Sequence, residues 1–371
     1  MRATAATPAA LGRLPSGPTL TRAALVLGGG VLVLLVVMVA AVAAGSVGVG
    51  PADTAAILAR RLLGLPIGET WTPASETIIF ELRLPRVLTA MLVGGGLAMA
   101  GTVFQAVLRN PLADPYIIGT AAGASLGAVA GIVLPLLLPA LALGAGTSWL
   151  GLGLVQVLAF AGGLGTVLVV YGVARSGGRV PVVTLLLTGY AVSSVLAATV
   201  ALMMFLSGRA LAAVFSWLMG SLADASWSEL AFSVPLLAAS LALLVVRWRG
   251  LNLLTLGDSA AANLGLDVER EKLVLTMLAT LATSAAVAIS GTIGFVGLVV
   301  PHLLRLAIGP DHRLLLPASV LFGAALLALA DLGARLIGGV PVGVVTALVG
   351  APFFLWLLRR SRAAGAGTVN A

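Results

Sequence analysis

Ten apolar stretches, most of them close to the roughly 20 residues a helix needs to cross a bilayer, recur along this chain with short polar breaks between them. They cover 23–45, 86–108, 116–141, 149–174, 180–206, 228–246, 272–290, 292–308, 314–337 and 341–358. Of 371 residues, 60% are hydrophobic and 9% charged, with a mean hydropathy of +1.14. A soluble domain carries about a quarter charged residues, so this chain is dissolved in lipid and has no room for one. The expected fold class is an all-α integral membrane protein of about ten transmembrane helices. Residues 23–358 form a single transmembrane domain, flanked by cytoplasmic tails at 1–22 and 359–371. The weakest boundary is the seventh, because only 291–294 separates it from the eighth stretch.

The distribution of basic residues sets an orientation, since cytoplasmic connections hold the surplus of Lys and Arg. With the N-terminus inside, Arg2, Arg13, Arg22, Arg109, Arg175, Arg179, Arg247, Arg249, Arg270, Lys272, Arg305, Arg313, Arg359, Arg360 and Arg362 fall on the cytoplasmic side. Arg60, Arg61, Arg83, Arg86, Arg209 and Arg335 fall outside. Both termini are therefore expected in the cytoplasm of a multi-pass protein of the cell membrane. The net charge of +8 is dispersed in singles and pairs, which argues against nucleic acid as a partner. No small-residue cleavage site follows the first apolar stretch, which reads as a retained helix.

Several chemistries are excluded by what the chain lacks. There is no cysteine, and the one lysine, Lys272, stands outside any Gly-rich phosphate loop, so ATP is not hydrolysed here in that way. A proton-coupled secondary transporter places carboxylates or histidines at mid-membrane, where a charge costs about 2.5–3.5 kcal/mol. The acidic residues here all fall near span ends. Asp331 and Arg335 stand in the favourable i,i+4 order and read as a neutralising pair. His302, His312 and Asp311 lack metal-ligand spacing. A membrane enzyme has no visible nucleophile and base.

Small residues four apart, as in Gly94 with Ala98 and Gly127 with Gly131, are the spacing that lets helices approach closely in lipid. Three other segments carry more. Leu82-Arg83-Leu84-Pro85-Arg86 is followed by Gly101, Gln105 and the turn Arg109-Asn110-Pro111-Leu112-Ala113-Asp114-Pro115, where the prolines interrupt helix and Asn110 caps exposed backbone. The segment from Leu254 to Leu266 reads as a short inner helix, capped by Asp258 or Ser259 and ended by Gly265. The stretch 291–302, with Arg305, carries Pro301, which leaves the Gly297 carbonyl without its usual donor.

These segments resemble the FecCD family of ABC importer permeases, which serve iron-siderophores, haem and cobalamin, over residues 80–358. The resemblance implies the type II importer fold, a two-fold dimer of permease copies and an inward pathway between them. It also implies two ATPase subunits carrying ATP and Mg, and a periplasmic or lipid-anchored substrate-binding protein, with no cofactor in this chain. On that basis Arg83, Arg86 and Arg335 receive acidic residues of the binding protein. Asp258, Ser259, Ala260, Ala261, Asn263, Leu264 and Gly265 form the helix that couples to the ATPase. Val182 and Val183 match the cytoplasmic gate, and Thr184, Thr188, Ser193 and Ser194 are candidates to wet the pathway, while Arg109, Asn110, Pro111, Pro301, His302 and Arg305 build the inner turns. The family's usual glutamate before Leu-Pro-Val-Gly is absent, Gly339 preceding Val340-Pro341-Val342-Gly343 instead.

Overall fold

The computed structural model describes residues 19–45, 48–137 and 153–366. The tail up to residue 18, with Arg2 and Arg13, the connection 138–152 and the last five residues lie outside them. Among the described residues the chain is helical, with no β-structure beyond an isolated bridge between Ser176 and Arg179. The helices are α1 Leu20–Ala43, α2 Pro51–Leu63, α3 Pro73–Val107, α4 Thr120–Leu137, α5 Leu154–Ala174, α6 Val182–Leu206, α7 Leu211–Leu218 and α8 Trp227–Val246. Then follow α9 Trp248–Thr255, α10 Asp258–Asn263, α11 Val268–Ser290, α12 Val296–Ile308, α13 His312–Leu336 and α14 Val342–Ala366. Each of the ten apolar stretches contains a helix among the described residues, 138–141 of the third and 149–152 of the fourth lying outside them: α1, α3, α5, α6, α8, α11 and α13 are long and apolar enough to cross a membrane, and α4, α12 and α14 supply shorter apolar runs. The ends that the charge distribution assigns inside and outside are called inner and outer below.

Two differences from the sequence reading have local causes. The second spanning helix begins at Pro73, well before residue 86, because Pro85 does not break it. A π-helical turn over Ile78–Arg83 widens the helix just ahead of the proline, and such a turn absorbs the missing N–H that would otherwise end it. The last helix runs to Ala366, past the expected boundary at 358. The doubtful seventh boundary is a true break: Gly291 and Phe295 take φ of +65° and +70°, and 291–295 is not helical. At ~1.5 Å per residue the 13 residues of α12 span about 20 Å, less than the hydrocarbon thickness of about 30 Å.

The interior is built around α3, α11 and α13, while α1 and α6 are mostly uncovered. Helix α3 packs against α13, α11 and α12, and it does so through small residues. A Cβ on Gly94 would run into the Gly323 carbonyl, and one on Gly101 into the Gly297 carbonyl. The backbones touch directly at both crossings, which is the packing that substitutes for a hydrophobic driving force in lipid. The Gly297 carbonyl is the one that Pro301 leaves without a helical donor.

Candidate functional site

At the inner end, α9 and α10 form the connection between α8 and α11. The cap of α10 differs from expectation: Gly257, with φ +104° and ψ 154°, occupies that position without a side-chain bond, and Asp258 is the first helical residue. Its carboxylate is drawn away to Lys272 Nζ at 2.6 Å, with Arg109 Nη2 at 3.9 Å on the other oxygen. Gly265 ends the helix as expected. It takes φ +87°, and Leu266 N reaches back to Ala261 O at 3.1 Å, the six-to-one bond of a glycine-terminated helix. Ala261 is buried, whereas Ser259, Ala260, Asn263, Leu264 and Gly265 are exposed, so one face of α10 holds it to the bundle and the other is free.

Helix α11 carries a row of charges into this connection. Glu271 pairs with Arg247 at 2.6 Å, and Glu269 Oε2 accepts from Val180 N at 2.9 Å, two residues before α6 begins. Lys272 is 5% exposed, so its pairing with Asp258 spares a buried ammonium from standing unpaired. These partners were missed in the sequence. The available signal was the solitary lysine, placed just before an apolar run.

The turn after α3 is tightly bonded. Arg109 has φ +49°, Asn110 Oδ1 accepts from Leu112 N at 3.0 Å, and Asp114 Oδ1 from Tyr116 N at 2.9 Å. Desolvation in this turn pushes the Asp114 carboxyl up to about 6, against the pull of the Tyr116 N–H. The segments around Pro111 and Pro301 meet here. His302 lies beside the Pro111 backbone, and Arg305 Nη1 donates to Gln105 Oε1 at 2.8 Å, while Gln105 Nε2 donates to Leu298 O at 3.2 Å. His312 instead faces Asn252, at 2.7 Å. Among the described residues no group of three or more His, Cys, Asp or Glu gathers.

Helix α6 is divided around its circumference. Val183, Leu187, Tyr190 and Ser194 share an exposed stripe at i, i+4, i+7 and i+11, whereas Val182 packs against the core and Ser193 lies beside Gly119. Thr184 is exposed and Thr188 partly so. Ser194 donates to its own helix at Tyr190 O, 2.9 Å away, the usual resort of a hydroxyl on an apolar helix. The four candidate hydroxyls therefore do not converge on one surface.

The three outer arginines meet, and each already holds acceptors within this chain. Asp331, fully buried, lies between Arg86, which grips it through Nε at 3.0 Å and Nη2 at 2.8 Å, and Arg335, with Nε at 3.0 Å. Arg335 also donates to Ala41 O at 2.8 Å and Ala44 O at 3.1 Å, and Arg83 to Val42 O at 3.1 Å and Ala43 O at 2.9 Å. Those carbonyls end α1, where a helix has orphan acceptors and favours positive charge. Guanidiniums near the membrane are more stable on such buried acceptors than turned out as unpaired cations. The i,i+4 pair of Asp331 and Arg335 is present and belongs to a larger buried network.

The FecCD transport family model matches residues 33–360. Curated relatives include the cobalamin import permease of Halobacterium salinarum, 42% identical over 83% of this chain and 79% of its own length. The hemin transport permease of Yersinia pestis is 40% identical over 81% and 90%, and the Fe(3+) dicitrate permease FecD of Escherichia coli 38% identical over 77% and 86%. A solved ABC transporter assigned to the metal-chelate type, in an inward-facing conformation, superposes with a TM-score of 0.76 at 31% identity, covering 90% of this chain and 99% of that one. With a family match over most of its length and an all-helical bundle of membrane spans, this chain is a multi-pass inner-membrane protein that belongs to the FecCD transport family of ABC importer permeases.

Proposed function

We propose that the chain is the membrane-spanning subunit of an ABC importer for a metal chelate, with an iron-siderophore as the first cargo to test and haem or cobalamin as the alternatives. Relatives named for cobalamin, hemin and ferric dicitrate support that cargo class. The observation that carries the assignment is α10, a short helix held by Asp258 and Ala261 with its other face exposed between Leu256 and Leu264, 63% and 62% exposed. That face suits a groove on a separate ATPase subunit, which carries the ATP and Mg. Movement of α10 passes through the Asp258–Lys272 pair into α11. From there the Glu269–Val180 bond leads to the start of α6, where Val182 and Val183 close the inner end of the pathway. The exposed stripe of α6 faces the pathway and a second copy of the chain. An acidic binding protein docks over the outer arginine cluster, whose three guanidiniums exceed its one carboxylate, and Arg86 is its most accessible member.

The deciding experiment reconstitutes the chain with its ATPase and binding protein and follows ATP hydrolysis and chelate uptake together. Hydrolysis stimulated by the loaded binding protein, and abolished by Gly265→Trp, is the expected result, because a side chain at φ +87° both strains the turn and obstructs the docking face. Absence of a complex with any ATPase overturns the reading in favour of a secondary transporter. A second variant tests the route. Lys272→Met keeps the packing volume and leaves Asp258, which is 42% exposed, to water, so stability should change by no more than about 1 kcal/mol. Chelate delivered per ATP is expected to fall at least several-fold while basal hydrolysis persists; an unchanged ratio removes Lys272 from the coupling route.

A further inference from the structure

Toward the outer end of the bundle, α4, α5, α7, α8 and the end of α11 leave a cavity of about 380 Å³ between them. Its wall is graded. Ser216 and Asp224 are exposed at the mouth, Gln156 and Ser221 are partly covered, and Glu229 is 7% exposed at the floor. Among the described residues no Lys, Arg or His contributes to the lining. Glu229 Oε1 accepts from Gln156 Nε2 at 3.0 Å, while Oε2 is buried with no hydrogen-bond partner. The Ser226 N–H lies close to the carboxylate, and the charge of Asp224 acts on it from the rim. A carboxylate oxygen held out of water without a partner is costly, and every other charge in the cavity has the same sign.

We propose that this cavity is a binding site for a monovalent metal cation, which enters past Asp224 and Ser216 and is held by Glu229 Oε2. The donor set selects the class. Transition metals take imidazole or thiolate ligands, and the lining has neither. Calcium takes six to eight oxygens, commonly from several carboxylates, whereas a single carboxylate lies at this floor and the remaining oxygens are hydroxyl, amide and backbone. One negative charge among neutral oxygens, in a volume that holds an ion with part of its water, matches a sodium or potassium ion. The floor is tied to the end of α11: Ser221 N donates to Ser290 O at 2.9 Å, and Thr292 Oγ1 to Leu218 O. A cation seated here braces α7 and α8 against the end of α11. The site stands on this geometry and does not depend on the cargo.

The test is the melting temperature of the full-length purified protein in lipid nanodiscs, titrated with NaCl or KCl against N-methyl-D-glucamine chloride at constant ionic strength and pH. The wild type is expected to show a saturable rise of a few degrees, since a ligand that binds only the folded state stabilises it by mass action. Glu229→Gln, nearly isosteric, is expected to lose that rise. Asp224→Asn is expected to retain it with the midpoint shifted several-fold to higher cation. Direct ²²Na⁺ binding to the wild type should give one site per chain and supplies the answer should the Gln variant fail to fold. No saturable rise and no bound sodium or potassium, or an undiminished rise in Glu229→Gln, overturns the proposal. Stabilisation by low pH alone, with no cation response, overturns it in favour of a protonated Glu229.

Discussion

Asp331→Ala is expected to cost about 3–5 kcal/mol of stability, the range for removing one partner of a buried ion pair. The carboxylate is fully buried and serves Arg86 and Arg335 together. Without it, two guanidiniums that are 18% and 10% exposed have no counter-charge, and their repulsion acts where α1, α3 and α13 meet. Arg335 keeps its carbonyl acceptors at the end of α1, so the damage centres on Arg86. Thermal melting in detergent, with recovery of monodisperse protein, measures the effect. Asp331→Leu combined with Arg86→Leu should recover much of the loss, because a buried ion pair replaced by apolar side chains of similar volume is often near neutral. A single variant as stable as the parent would mean that water reaches the network and that the arginines are available to outside partners after all.

Gly101→Val should be worse tolerated than any glycine substitution on the bundle periphery. Overpacking costs about 1–3 kcal/mol when neighbouring side chains can shift. Here the obstacle is the Gly297 backbone carbonyl, which can yield only if α12 separates from α3. Pro115 packs directly against Gly297, so that movement also disturbs the inner turn. We expect the Val variant to fail to accumulate in membranes and Gly101→Ala to melt clearly lower than the parent. Gly29→Ala, with nothing within 4 Å of its Cβ position, serves as a neutral control. Equal melting of the two alanine variants would show that the crossing is looser than its geometry.

Much of the architecture was readable because hydropathy is a local sum. A run of about 20 apolar residues must become a helix in lipid whatever surrounds it, so ten spans, the short α12 and the break at 291–295 followed from their own residues. Local turn chemistry was likewise legible: Gly265 ends α10 and Asn110 folds the turn after α3. Where two local rules competed, reading failed. The second stretch was bounded at residue 86, yet a π-turn carries α3 through Pro85, and Asp258 looked like a cap but is drawn to Lys272.

Sequence by itself determined the membrane class, the placement of the apolar helices along the chain, and the motifs that place the chain in its family, since each depends on residues adjacent along the chain. Tertiary structure alone decided which charges meet. Arg86 and Asp331 are 245 positions apart, Lys272 joins Asp258 across a turn, and Glu229 is left with an unpartnered oxygen in a cavity shared by five helices. Those pairings follow from how helices cross and which faces they turn to one another. That is set by backbone contact at glycines such as Gly94 and Gly101 rather than by the hydropathy of any one segment.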